Sequence, residues 1–224
     1  MCGIFGIVSQ RGVERRQFVQ LAELNKHRGN LAFGGVSISA KEMNIFRYQE
    51  PFSPEMVPQA AATMLLGHIR AATGRRSKKL SDVHPFISKN GLLAHNGLLL
   101  NHTQFPEWQL DTAVAVDSQF ILGGIQFYLQ AGLSTVAAIR QTVEKLDGQQ
   151  ACWYWSTTEQ QLYLWRVMAP IYVSQSDEGF VFSSVPNEWA NNLISEGTIF
   201  CLDPHQYQLQ ARERFSFYSP YQVR

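Results

Sequence analysis

Charge is scarce in this sequence. Only 17% of its 224 residues are Asp, Glu, Lys or Arg, against about a quarter in an ordinary soluble domain. The 19 basic and 18 acidic residues leave a formal net charge of +1, which argues against a global grip on nucleic acid or on an anionic lipid surface. So little charge implies a large buried fraction or a face covered by a partner. Cysteine is scarce as well. Cys2, Cys152 and Cys201 are odd in number and show neither CxxC nor zinc-knuckle spacing, which excludes a disulfide framework and a structural zinc site and favours a reducing compartment. No apolar run approaches the ~20 residues that a membrane-spanning helix needs. The start, Met1-Cys2-Gly3-Ile4-Phe5, lacks the basic region of a secretory signal. Internal repeats, low-complexity tracts and linkers are absent too. The expectation is a soluble, cytoplasmic protein with no membrane segment, no metal and no cofactor.

What remains is apolar and aromatic, at 45% and 12% of the chain, enough for a substantial core. Cys2 to Val8 reads as a buried strand, and Arg16 to Lys26 as a helix with Phe18, Val19, Leu21, Ala22 and Leu24 on one face. Strands are expected at Phe33–Ile38, Met43–Tyr48 and Met64–Ile69. The runs Leu92–Ala94 and Leu98–Leu100 are interrupted by His95-Asn96-Gly97. Helices follow at Asp117–Gln130 and Ser134–Leu146, the second capped by Ser134 and stopped at Gly148. The last third predicts a hairpin, Ala151–Ser156 with Leu162–Val167, further strands at Ile171–Val173, Phe180–Ser183 and Thr198–Leu202, and a short helix over Glu188–Leu193. Trp153, Tyr154, Trp155, Tyr163 and Trp165 alternate across the hairpin as core and covered sheet face. Strands at both ends with helices between them point to sheets sharing one core.

Four places carry residues suited to chemistry. Removal of Met1 would give Cys2 a thiol and a free α-amine on one residue. That amine titrates near 7.7–8.0 and can serve as base for its own side chain. Taken alone, a Met-Cys start reads more readily as an accident of the start codon. His95-Asn96-Gly97 reads either as a type I′ turn or as an amide beside a glycine N–H, two neutral donors able to converge on an oxyanion. Gly67-His68-Ile69-Arg70-Ala71-Ala72-Thr73-Gly74 runs a strand into a loop where Arg70 and Thr73 suit a carboxylate or a surface ion pair. Asp117 is an N-cap or a partner for a substrate ammonium.

The order of these pieces resembles the class II, N-terminal-nucleophile glutamine amidotransferases. The resemblance is carried by CGIFGIV, His27-Arg28-Gly29 with Phe33-Gly34, GHIRAAT, His84-Pro85-Phe86, AHNGLLLN and Val116-Asp117-Ser118, over residues 2 to about 120. It implies an α+β fold, a four-layer αββα sandwich of two antiparallel sheets flanked by helices, with 1–224 forming one glutaminase domain. It implies Cys2 as nucleophile and Asn96 with Gly97 as oxyanion hole. Arg70 and Thr73 would hold the L-glutamine carboxylate and Asp117 its ammonium. His84 would lie near the pocket or serve the loop structurally. Ala71 stands where some members carry an aromatic residue, which is closer to the stand-alone branch. The implied activity is glutamine hydrolysis, with ammonia passed to a synthase or ligase on a separate chain. Another N-terminal-nucleophile amide hydrolase and an inactive assembly subunit are the alternatives. Arg75-Arg76-Ser77-Lys78-Lys79 packs four cations into five residues, either a solvated loop face or a docking segment.

Overall fold

The computed structural model describes residues 2–71, 79–111, 116–203 and 207–218. Two sheets are built from β1 (Gly3–Ser9), β2 (Ala32–Ile38), β3 (Met43–Tyr48), β4 (Met64–Arg70), β5 (Phe86–Ile87), β6 (Gly91–Leu99), β7 (Gly148–Ser156), β8 (Gln161–Val167), β9 (Tyr172–Ser176), β10 (Gly179–Ser183), β11 (Asn192–Leu193), β12 (Thr198–Asp203) and β13 (Gln208–Arg214). The first sheet runs β11-β9-β10-β1-β4-β2-β3 and the second β13-β12-β8-β7-β6-β5, with antiparallel pairing throughout both.

Strand alternation sorts the side chains into layers. Ile4 and Val8 of β1, Met64 and Leu66 of β4, and Leu92 and Ala94 of β6 meet between the sheets with Trp153 and Trp155. On the other side of the first sheet, Phe5, Ile7, Leu65 and Ile69 pack against Phe18, Leu21 and Ala22 of helix α1 (Arg15–Asn25). Beyond the second sheet, Leu93, Cys152, Tyr154 and Trp165 pack against Ile121, Ile125, Ala138 and Ile139 of helices α2 (Ser118–Gln130) and α3 (Thr135–Val143). The layering is α, β, β, α, as the resemblance implied. Ser134 caps α3 as expected, accepting from the Ala137 N–H at 3.3 Å. The aromatic hairpin also forms, Trp153 and Trp155 facing the other sheet and Tyr154, Tyr163 and Trp165 the helices.

One open alternative is decided, one local expectation fails and one strand goes unanticipated, each for an identifiable reason. His95-Asn96-Gly97 is no turn: β6 continues through it for 9 residues, pairing His95 with Cys152, Asn96 with Ala151 and Gly97 with Gln150. Glycine is there for closeness, since a Cβ on Gly97 would stand 1.8 Å from the Gln149 carbonyl oxygen. Glu188–Leu193 forms no helix, because Asn187 and Ala190 exchange both backbone hydrogen bonds to close a tight turn and Asn192–Leu193 pair with β9 as β11. Strand β13 was not expected, its sequence QLQARER being polar on both faces at the sheet edge. No helix among the described residues is long and apolar enough to cross a membrane.

Candidate active site

The first sheet delivers the nucleophile candidate by register. Antiparallel pairing sets Gly3 against Ile69, so Cys2 stands at the start of β1 beside Arg70 at the end of β4. Cys2, His68 and Arg70 share the alternation that turns Ile4, Met64 and Leu66 between the sheets. The Ala71 N–H donates to the Cys2 sulfur at 3.3 Å, and Arg28 Nε donates to the Cys2 carbonyl at 2.8 Å. Gly29 lets this turn lie flat on the strand end: a Cβ there would come within 2.5 Å of the Arg70 carbonyl carbon. Asn25, fully buried at the end of α1, bonds Ser183 through Nδ2, and its Oδ1 lies 3.0 Å from where a Gly3 Cβ would be.

The second sheet delivers the candidate donors. Asn96 shares the inward alternation of Leu92 and Ala94; it is 0% exposed, and neither Nδ2 nor Oδ1 has a hydrogen-bond partner among the described residues. A buried amide left unpaired costs stability, so it invites a functional explanation. Gly97 is placed by the ladder. The Leu99 N–H bonds Asp117 Oδ2 at 2.7 Å and the His95 carbonyl meets His68 Nε2 at 3.2 Å, so both point to the edge of β6 away from β7. By the two-residue alternation of an antiparallel strand, the Gly97 N–H points to that same edge.

Asp117 precedes α2 but makes no side-chain cap bond. It spans instead to the end of β6 at Leu99, which sets aside the N-cap reading. Arg70 and Lys79 border a cavity of about 220 Å³ with Gln49 and Glu50, while Asp117 borders one of about 290 Å³ with His102, Gln109 and Phe120. A larger cavity of about 460 Å³ lies on the α1 side of the first sheet, around Arg11, Glu178 and Trp189, and holds none of the candidate residues.

Electrostatics tie the groups together. Burial raises the Cys2 thiol above its ordinary pKa; the Ala71 N–H and the Arg70 charge oppose this, and the Asp117 carboxylate adds to it. His84 sits elsewhere in the same layer, its ring tilted against His68 with centroids 3.9 Å apart and edge-on to Phe86 at 4.6 Å, with neither nitrogen hydrogen-bonded among the described residues. Thr73 and Arg75–Lys78 lie outside the described residues. The thiols of Cys152 and Cys201 are buried and free. Among the described residues no group of three or more His, Cys, Asp or Glu could hold a metal ion.

Sequence reasoning gave no role to Arg28, His68, His95 or Ser118, all of which touch this constellation. The motif His27-Arg28-Gly29 was visible, but its purpose appears only when α1 and its following turn fold back on β1.

No protein-family model matches the chain. It is 24% identical over 200 residues to glutamine–fructose-6-phosphate aminotransferase (isomerizing) of Sulfolobus acidocaldarius, covering 83% of this chain and 34% of that protein. It is 32% identical over 174 residues to amidophosphoribosyltransferase of Haemophilus influenzae, covering 68% of this chain and 34% of the other. The chain thus spans about a third of the length of these curated relatives. The solved glutamine phosphoribosylpyrophosphate amidotransferase from B. subtilis, complexed with ADP and GMP, shares the fold with a TM-score of 0.75 at 20% identity, over 96% of this chain and 49% of that one. A glutamine aminotransferase class-II domain protein from Silicibacter pomeroyi matches with a TM-score of 0.63 at 13% identity, over 96% of this chain and 100% of its own.

Proposed function

We propose, for a chain that carries a class II glutamine amidotransferase domain, that it hydrolyses L-glutamine to glutamate and ammonia through a thioester on Cys2. The observation that carries this reading is the unpaired, fully buried Asn96 amide next to the Gly97 edge N–H, in the layer that Cys2 also faces.

With Met1 removed, the Cys2 α-amine takes the thiol proton. The sulfur attacks the carboxamide carbon, and the oxygen that gains charge accepts from Asn96 Nδ2 and the Gly97 N–H. The proton held by the amine passes to the amide nitrogen, the C–N bond breaks and ammonia leaves. Water, deprotonated by the same amine, then cleaves the thioester to glutamate. Arg70 and Thr73 hold the substrate carboxylate and Asp117 its ammonium; His84 supports the β4 end by packing.

The reading takes 1–224 as one glutaminase domain acting in a reducing, cytoplasmic setting, in keeping with three free thiols. Ammonia passes to an acceptor enzyme on another chain. Support comes from the low charged fraction, which fits a face covered by a partner.

The test is intact mass of the protein from its native host, followed by glutamate release from L-glutamine before and after treatment with a diazo-ketone glutamine analogue. Loss of Met1, turnover, and a covalent adduct on Cys2 that abolishes turnover are expected. Retained Met1, or no glutamate from processed protein with any partner, would refute the reading.

A further inference from the structure

None of the steps above uses the His95 side chain, yet it links β6 to the start of α2 and to β7. It is buried on β6 between Ala94 and Asn96. Its Nδ1 lies 2.8 Å from Ser118 Oγ, at the first turn of α2 and next to Asp117. Its Nε2 lies 3.0 Å from the Gln149 carbonyl on β7, and a Cβ on Gly97 would stand 2.5 Å from that same nitrogen. Its own carbonyl meets His68 Nε2, two residues along β4 from Arg70.

We propose that His95, acting with Ser118, is a positioning residue that holds the first turn of α2, and with it Asp117, against the Asn96–Gly97 strand, so that the ammonium anchor and the oxyanion donors are held as one unit. The proposal rests on the glutaminase reading. The proton arrangement follows from the partners. A backbone carbonyl only accepts, so Nε2 carries the hydrogen, and Nδ1 of the neutral ring accepts from the Ser118 hydroxyl. Burial, which holds the imidazole below its ordinary pKa despite the Asp117 charge, keeps it in that neutral form. Ser118 then has no proton left for Asp117 Oδ1, 3.5 Å away. Asp117 Oδ2 is taken by the Leu99 N–H, and Oδ1 is left to face a cation. Without the Ser118–His95 link, α2 would keep its apolar packing and the Asp117–Leu99 bond, and its first turn would meet β6 through one of these two hydrogen bonds instead of both.

The two ring nitrogens make the proposal separable. Ser118→Ala removes the link to α2 and leaves the imidazole. His95→Gln can keep a donor toward Gln149 but has no acceptor at the Nδ1 position. His95→Asn keeps an acceptor for Ser118 and loses the tie to β7. Misplacing a substrate contact should raise the KM for L-glutamine roughly 10-fold in the first two, with kcat held within about threefold. Their double variant should be no worse than either alone. His95→Asn should restore KM and lower kcat. Long-range proton–nitrogen NMR of the wild-type protein should show an Nε2–H tautomer for His95, with a resonance that moves in Ser118→Ala. An unchanged KM in Ser118→Ala, matched losses of KM, kcat and Tm in every variant, or an Nδ1–H tautomer would overturn the proposal. A processed wild-type protein that binds L-glutamine without turning it over would refute the glutaminase reading alone. The tie is then judged by whether Ser118→Ala weakens that binding while His95→Asn spares it. Absence of glutamine binding altogether refutes both.

Discussion

Replacing Asn96 with alanine should move activity and stability in opposite directions. Asn96 is 0% exposed and both polar atoms of its amide lack a partner among the described residues. A buried polar group left unmade costs about 1–3 kcal/mol. Truncation removes that penalty and forfeits packing worth ~1 kcal/mol. Folding stability should therefore stay level or rise by up to ~2 kcal/mol, and at ~2–4 °C per kcal/mol for a chain of this size Tm should hold or rise by a few degrees. The reaction loses one of two oxyanion donors, worth ~2.7–4 kcal/mol, so kcat should fall roughly 10²–10³-fold. Because the donor acts on charge that develops during the reaction, the KM for glutamine should barely change. Steady-state glutamate release and a thermal melt on the same preparation measure both sides. A kcat within threefold of wild type would refute the oxyanion assignment. A clear drop in Tm together with the loss of rate would show that Asn96 holds the fold, and the physical reasoning about an unpaired amide would be wrong.

Two further outcomes follow from the same layer. Gly97→Ala would set a Cβ 1.8 Å from the Gln149 oxygen, so β6 must shift from β7; a loss of more than ~2 kcal/mol in urea unfolding is expected, and an unchanged midpoint would contradict the close approach. Acid should weaken the protein early: burial pushes His68 down to about 3 and holds His84 and His95 below their ordinary values. The unfolded chain binds those protons near 6.5, so stability is complete above pH 6.5 and is lost as pH falls from there toward 3. The loss by pH 5 is up to ~2 kcal/mol for each histidine. Urea midpoints at pH 7 and 5 measure it, and equal midpoints would show that the histidines are not held neutral.

Much of the fold was legible because its signals are local. The apolar periodicity of Phe18, Leu21 and Ala22 marks α1 whatever surrounds it. Consecutive apolar residues at Leu92–Ala94 mark a strand buried on both faces. The failures are equally physical. Asn96-Gly97 has the composition of a turn, and only the neighbouring β7 shows that glycine is needed for contact distance. Backbone bonds exchanged between Asn187 and Ala190, and the pairing of Asn192–Leu193 with β9, override the propensity of the residues between them. Strand β13 carries no pattern because an exposed edge strand has no buried face to impose one.

The candidate site divides along the same line. By itself the sequence determined which chemical groups were available and in what order: the thiol of Cys2, the guanidinium of Arg70, the amide of Asn96 beside Gly97 and the carboxylate of Asp117. These are properties of residue types, and their order along the chain carried the family resemblance. Only the tertiary structure decided that Arg28 braces the Cys2 carbonyl, that His84 packs on His68, and that Asp117 reaches across to Leu99 instead of capping its own helix. It also made His95 the link between β6, β7 and α2. Those facts depend on two sheets meeting face to face, where partners lie tens of residues apart in sequence and a few ångströms apart in space. A linear pattern holds no record of that register.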